Sequence, residues 1–239
     1  MCLVCVSSDP SSARSLRVWD LPTRMFHWSL AAVVLCAIVS ARIGGNAMQQ
    51  HMFWGTAAMA LLLFRLCWGL WGGHWSRFVH FHLSLSAWRQ ERRQASLGPA
   101  VVGHSFSGSW AVLALLTLLL AQVATGLVAD DEIATTGPLN RWVSEAFASR
   151  ATGWHKGLGQ ALILTMVGLH LAAIAWYTAR GRRLLEPMVG GDREWAGDQD
   201  QGLPVPPSSL DGAAQRWRAL VCAAVCAGLA ASVWFWGPA

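Results

Sequence analysis

The chain has 239 residues, of which 54% are hydrophobic and only 13% are charged, and its mean hydropathy is +0.37. These values place it in the membrane class rather than among soluble globular proteins. The net charge of +5 resides mainly in arginine-rich loops. On a membrane protein such a charge indicates orientation and does not point to nucleic-acid binding.

Five apolar segments follow one another along the chain, and each is close to the length that a helix needs to cross the hydrocarbon core. They span residues 26–41, 51–71, 110–129, 154–177 and 219–236. No strand pattern competes with them, and backbone groups in lipid must be paired within helices or closed barrels. The sequence therefore predicts an all-α fold, a transmembrane helical bundle with a four-helix core and a fifth C-terminal transmembrane helix.

The composition between these segments divides the chain into four parts. The opening residues 1–16 are predicted to be a mobile tail, and residues 17–183 to be the four-helix core. A stretch rich in glycine, proline and aspartate, residues 184–212, indicates a cytoplasmic linker. Residues 213–239 then form the fifth helix.

The arginines mark one side of the membrane. They precede the first segment and occupy the loops between the second and third segments and between the fourth and fifth. The alternate loops hold few basic residues and several acidic ones. By the positive-inside rule, the sequence predicts a multi-pass membrane protein with a cytoplasmic N-terminus and a C-terminus on the outer side.

Four histidines lie at matching depths in these segments. His51 and His155 begin the second and fourth segments from the outer side, and we call them the outer pair. His27 begins the first segment from the inner side, and His170 lies deep in the fourth; we call these two the inner pair. One continuous helix over residues 153–177 would place His155 and His170 about 22 Å apart, within roughly 60° of one face.

Imidazole is a common axial ligand of haem iron and is poorly suited to a lipid-facing surface. For any one of these histidines, an interfacial or hydrogen-bonded side chain is an equally good interpretation. Four histidines that pair by depth across three helices favour a different one. The pattern predicts two stacked haems, each held by one pair.

Other residues are assigned around the two pairs. Gly55 and Gly159 each follow an outer histidine by one turn, which would give a flat porphyrin room, although ordinary small-residue helix packing explains a single glycine equally well. Arg65 is a full charge within an apolar run, so it is expected either to pair with a propionate of the inner haem or to snorkel to the interface. His104 is expected at the surface or on the propionate side, or as a rival of His27 for the inner haem.

The six cysteines are scattered. Four of them lie inside apolar segments, where a thiol usually packs as a small hydrophobe: Cys36, Cys67, Cys222 and Cys226. The other two form a C-x-x-C motif in the predicted tail, but Val6 follows it where histidine would be needed for covalent haem attachment.

Several stretches resemble a known family, the bacterial di-haem cytochrome b proteins similar to cytochrome b561 and to the cytochrome b subunits of nickel–iron hydrogenases. The matching stretches are RVWDLPTRMFHW, HMFWGTAAMALLLFRLCWG, VGHSFSG, GPLNRWVSEAFASRATGWHKGLGQALILTMVGLH and LLEPMVGG. Together they cover most of residues 17–191. The resemblance implies a four-helix core with two non-covalent b-type haems, bis-histidine ligation by His27, His51, His155 and His170, and electron exchange with the quinone pool.

With both axial positions of each iron filled, one-electron transfer is the chemistry that remains. The expected function is electron transfer across the membrane between quinone and a periplasmic partner, such as a c-type cytochrome or a hydrogenase. The protons that quinone reduction needs would be relayed by His104, by Asp20 or by the histidines of the loop after the second segment, which are His74, His80 and His82.

Two alternatives stay open at this point. One is a self-contained superoxide:quinone oxidoreductase, for which Lys156 and Arg150 would begin a basic funnel, although acidic neighbours weaken it. The other is a haem-free membrane anchor or a metal transporter that uses histidine and methionine.

Overall fold

The computed structural model describes residues 14–94, 102–131, 135–195 and 206–236. Eight α-helices and one two-stranded sheet lie within these ranges. In chain order they are β1 Arg14–Arg17, α1 Leu21–Ile43, α2 Ala47–Trp71, α3 Leu85–Gln94, α4 Phe106–Val128, α5 Glu145–Lys156, α6 Leu158–Ala179, α7 Leu185–Gly190, β2 Asp192–Trp195 and α8 Ala213–Ser232.

Five helical spans are long and apolar enough to cross a membrane: α1, α2, α4, the combined α5 and α6, and α8. They coincide with the five apolar segments, so the predicted all-α transmembrane bundle is confirmed. The helices begin before the apolar segments, and polar side chains cap the N-termini of α1, α4 and α5. Ser105, for example, accepts a hydrogen bond from the Gly108 N–H at 3.1 Å at the start of α4, which supplies one of the partners that a helix N-terminus lacks.

The start of α1 is fastened by Asp20, whose side chain is completely buried. Its carboxylate caps α1 by accepting the Thr23 N–H at 2.8 Å. The same carboxylate accepts the Gly73 N–H at 2.8 Å and the Trp68 indole N–H at 3.1 Å, and both donors lie at the end of α2. Asp20 therefore links the start of α1 to the end of α2 through charge-assisted hydrogen bonds that are buried away from water.

The fourth apolar segment is two helices rather than the single one that was predicted. The helix is interrupted at Gly157, whose φ of −109° and ψ of −105° lie outside the helical region. A Cβ at this position would approach the Gly153 carbonyl oxygen to 2.7 Å, so the break needs a glycine. His155 therefore lies in the last turn of α5 and His170 in α6. The distance and angle worked out for one straight helix do not apply.

The helices pack as neighbouring pairs. α1 packs along α2, α4 packs on α5, α6 and α2, and α8 packs mainly on α2. The buried apolar core between them includes Phe26, Leu62, Phe64, Trp68 and Leu116. The fifth helix is thus part of the bundle and lies against its second helix.

The predicted tail and linker are partly ordered. β1 pairs with β2 in antiparallel register, with Arg17 opposite Asp192, so residues 14–16 belong to the sheet and not to a mobile tail. Beyond β2, the backbone N–H of Ser209 donates to the carbonyl of Arg17 at 2.7 Å. Residues 1–13, 196–205 and 237–239 of the predicted tail, linker and fifth helix lie outside the described residues.

The start of α8 is held by Asp211, whose side chain is only 6% exposed. It forms ion pairs with Arg17 and, at 3.1 Å, with Arg216. Burial alone would raise the pKa of this carboxyl, but hydrogen bonds from Arg216, from the Leu21 N–H and from Arg17 outweigh burial and hold the pKa below its ordinary value. Asp211 therefore links α8 to β1 and to the start of α1.

Candidate functional site

The outer pair of histidines meets between α2 and α5. The ring centres of His51 and His155 are 5.9 Å apart, with their planes at 79°. His51 Nδ1 lies 2.8 Å from the carbonyl oxygen of Ala37, and His155 Nδ1 lies 2.9 Å from that of Gln122. A carbonyl oxygen can only accept, so each Nδ1 carries the proton and each Nε2 is left with a free lone pair. That is the tautomer a metal-binding imidazole needs.

Helix α4 holds His155 in place although it contributes no histidine to either pair. The side-chain amide of Gln122 donates to the backbone carbonyl of His155 at 2.8 Å, in return for the ring N–H that Gln122 accepts. One turn later, a Cβ on Gly126 would lie 2.7 Å from Cε1 of His155. Gly126 therefore lets the imidazole ring rest directly on the helix backbone. The sequence analysis missed both residues, whose only signal is their i, i+4 spacing.

A cavity of about 530 Å³ surrounds the outer pair, and its lining is mostly apolar. This volume is in the range of cofactor pockets. Gly55 lines the cavity, and no protein atom lies within 4 Å of the position that a Cβ would take there. Trp234, in the short 3-10 turn after α8, closes part of the wall and donates its indole N–H to Thr56 Oγ1 at 3.0 Å. The fifth helix thus contributes to the outer cavity.

Gly159 differs from the prediction made for it. It is buried, and a Cβ there would lie 2.5 Å from both Gln122 Oε1 and Trp154 Nε1. The space that this glycine provides is filled by protein side chains. Its role in the structure is to let Gln122 and Trp154 pack closely, and it does not line the cavity.

The inner pair meets between α1 and α6. The ring centres of His27 and His170 are 6.4 Å apart, with their planes at 56°. His27 Nδ1 is buried and has no hydrogen-bond partner among the described residues. The histidines that the sequence paired by depth are thus the ones whose rings face each other in the structure. Unlike the outer histidines, His27 donates to no backbone carbonyl of the described residues.

Both ring separations suit a metal ion held from two sides. An imidazole nitrogen binds a metal at about 2 Å, which keeps two opposed ring centres roughly 6 Å apart. The observed 5.9 and 6.4 Å agree with this value. Nitrogen donors on both sides, a free Nε2 on each outer ring and an apolar cavity fit a haem iron with two axial imidazoles.

Arg65 lies inside the bundle, near the end of α2 that is closer to the inner pair. Its side chain is only 3% exposed, so the alternative of snorkelling to the interface is wrong. The guanidinium stacks 4.7 Å above the ring of Phe78, and its Nη1 is buried with no hydrogen-bond partner in the described ranges of the chain. A buried unpaired cationic donor is costly, so this atom fits an anionic group of a bound ligand.

His104 packs between two aromatic rings. Its ring centre is 4.6 Å from that of Trp19 and 4.8 Å from that of Phe81, while His27 faces His170. Its Nδ1 is buried and has no hydrogen-bond partner within the part of the chain that the structure describes. Burial, followed by the nearby charge of Arg65, lowers the pKa of His104 well below its ordinary value. His104 therefore lies near Arg65, and the ring that faces His170 is that of His27.

A family model described as prokaryotic cytochrome b561 matches residues 18–191, which is most of the chain. No curated protein and no solved structure gives a significant match. The family assignment makes the protein an integral membrane b-type cytochrome that binds haem and transfers electrons between redox partners. The chain belongs to the prokaryotic cytochrome b561 family.

Proposed function

We propose that the protein holds two b-type haems, one between each histidine pair, and carries electrons across the bacterial inner membrane between a periplasmic partner and the quinone pool. The observation that supports this best is the pair of facing imidazole sets, at 5.9 and 6.4 Å. Haem supplies reversible one-electron chemistry when it is bound. The periplasmic partner is a redox protein such as a c-type cytochrome or a hydrogenase.

The outer residues fix the imidazoles and exclude water. His51 and His155 donate Nδ1–H to carbonyls on helices other than their own, which sets their orientation and makes each Nε2 a stronger donor. Two imidazoles leave no open coordination position for a substrate. The apolar lining of the cavity keeps the surroundings poorly hydrated, which tunes a redox centre.

The residues near the inner pair supply a positive charge, on Arg65, and imidazoles that would carry protons. Arg65 Nη1 would bind a haem propionate, since no hydrogen-bond partner for it lies among the residues that the structure describes. In the loop that follows α2, the rings of His74 and His80 stack with centres 3.8 Å apart. Burial lowers the pKa of His74, His80 and His104, so these imidazoles are neutral at pH 7 and release a bound proton readily, as a relay to a quinone needs. Asp20 is less suited to a relay because protein donors already bind its carboxylate.

The orientation and the choice among alternatives rest on charge. The arginines at the end where α1 begins support a cytoplasmic N-terminus.

The charges at the outer cavity bear on the alternative functions. Lys156, Asp130 and Asp131 all line this cavity. This mixed charge does not favour the basic funnel that a superoxide:quinone oxidoreductase would use. A haem-free anchor or metal transporter does not agree with the family.

A haem count on the purified chain tests the proposal. We expect two b-type haems per chain in the reduced-minus-oxidised spectrum and by extraction. His51→Ala should remove the outer haem and His170→Ala the inner one, whereas His104→Ala should retain both. One haem or none in the unsubstituted chain, or an unchanged spectrum in His51→Ala, would refute the two-haem arrangement. Reoxidation of the reduced protein by a quinone analogue in vesicles tests the acceptor separately.

Gly55 offers a second test of whether the cavity holds the outer haem. No protein atom lies within 4 Å of its Cβ position, so the bundle itself can accept a larger residue there. Gly55→Leu should therefore fold normally but lose the outer haem, because leucine fills space that the porphyrin needs. Gly228→Leu, at another open position on α8, is the matched control and should retain both haems. Full haem content in Gly55→Leu would place the porphyrin elsewhere.

A further inference from the structure

Three thiols meet where α8 packs on α2. Cys67 comes from α2, and Cys222 and Cys226 lie one turn apart on α8. Their Sγ atoms are all within 4.8 Å of one another. Cys226 is only 3% exposed, and all three pack in the apolar core beside Leu62 and Trp68.

Packing as small hydrophobes explains each cysteine singly but does not account for their convergence. Cys222 and Cys226 share a helix face because of their i, i+4 spacing, and Cys67 meets that face from a different helix. A disulfide would use only two of the sulfurs and would bring them to about 2 Å. A metal–sulfur bond of about 2.3 Å instead requires three sulfurs roughly 4 Å apart, which a small side-chain rotation provides.

We propose that Cys67, Cys222 and Cys226 form a three-coordinate site for the soft monovalent cation Cu(I). Thiolate ligands favour Cu(I), Zn²⁺ and iron–sulfur clusters over harder metal ions. Zn²⁺ prefers four ligands, whereas the described residues bring three sulfurs together.

The binding reaction is an exchange of protons for copper. Each thiol that becomes a thiolate ligand releases its proton as the Cu–S bond forms, and copper stays in the Cu(I) state, so no electron is transferred. A bound ion would join α8 to α2 and stabilise the folded chain by mass action. Cys222 and Cys226 lie beyond residues 18–191 that match the family, and none of the three thiols belongs to either histidine pair, so the proposal does not rest on the proposed haem function.

Copper uptake by the full-length, haem-loaded protein tests the site. The background variant carries Cys2→Ser and Cys5→Ser, because the C-x-x-C motif could bind copper itself. The protein is dialysed without oxygen against Cu(I) buffered by a bathocuproine-type chelator, and copper and haem are then measured per chain. We expect one copper in the background variant and its loss in Cys67→Ser, Cys222→Ser and Cys226→Ser. Cys36→Ser, on α1, is the matched control and should retain the copper.

Haem content shows whether each variant is folded. X-ray absorption at the copper edge counts the sulfur ligands directly and does not depend on substituting any of the three cysteines. The loaded background variant should show three sulfur neighbours at about 2.3 Å. A two-sulfur spectrum, copper that persists in Cys67→Ser, or no uptake by the background variant would overturn the proposal. Copper lost equally from the Cys36→Ser control would show non-specific binding and overturn it as well.

Discussion

Gly126→Ala tests whether the backbone of α4 sets the position of an axial histidine. The new Cβ would lie 2.7 Å from Cε1 and 3.1 Å from Nδ1 of His155. Ordinary contact begins at 3.4 Å, so the ring must move by about 0.7 Å to relieve the overlap. The bond from His155 Nδ1 to the Gln122 carbonyl is 2.9 Å long and would lengthen to as much as about 3.6 Å, where it ceases to be a hydrogen bond.

The cost of this change should appear at the outer haem. Overpacking costs about 1–3 kcal/mol, whereas alanine gains about 1 kcal/mol over glycine within a helix. The fold should therefore change little in stability. Loss of the hydrogen bond behind a metal-binding imidazole typically weakens metal binding about 10- to 100-fold, and the weaker donor should raise the midpoint potential of that haem.

Haem titration and a potentiometric titration check this expectation. One of the two haems should bind more weakly and shift to higher potential in Gly126→Ala, while the other stays unchanged. Gly228→Ala makes the same substitution on a helix where no atom lies within 4 Å of the new methyl, and it should alter neither haem. Two unchanged potentials, or two that shift together, would refute the claim that Gly126 acts through His155.

Further predictions concern the ends of the bundle. Asp20→Ala should lower the free energy of unfolding by about 3–5 kcal/mol because it leaves buried donors unpaired, whereas Asp192→Ala, in an exposed ion pair, should cost less than about 1 kcal/mol; thermal unfolding in detergent distinguishes them. The carboxylate of Asp211, with its lowered pKa, stabilises the fold at neutral pH, and this stabilisation should be lost as the pH falls below about 4. Asp211→Asn should flatten that loss, and an unchanged pH profile would contradict the assignment. Trp234→Ala should speed release of the outer haem by opening its cavity, while Trp217→Ala, at an exposed position of α8, should not.

Much of the bundle could be predicted from the sequence because a membrane imposes simple rules. Hydrophobic length located the five spans, and depth alone paired His51 with His155 and His27 with His170. The break at Gly157 could not be predicted, because a glycine within an apolar run also occurs in continuous helices. The helix-like spacing of Gly159 after His155 was misleading for the same reason, since the break at Gly157 separates the two residues.

Tertiary contacts explain what the sequence analysis missed. Gln122 and Gly126 carry no sign of haem chemistry, and only the packing of α4 against α5 shows that they hold His155. The thiol cluster is similar, since the spacing of Cys222 and Cys226 is visible in the sequence but the position of Cys67 is not. The burial of Arg65 also depends on a neighbour, Phe78, that lies in the loop after its helix.

The difference between the two histidine pairs predicts the direction of electron flow. Both outer rings donate Nδ1–H to a backbone carbonyl, whereas His27 has no such partner among the described residues. Stronger imidazole donors favour the oxidised iron, so the outer haem should have the lower midpoint potential. Electrons would then move favourably from the outer pair to the inner pair and on to quinone. The haem that shifts in Gly126→Ala identifies the outer one in a potentiometric titration, and a higher potential for that haem in the unsubstituted protein would reverse the predicted direction.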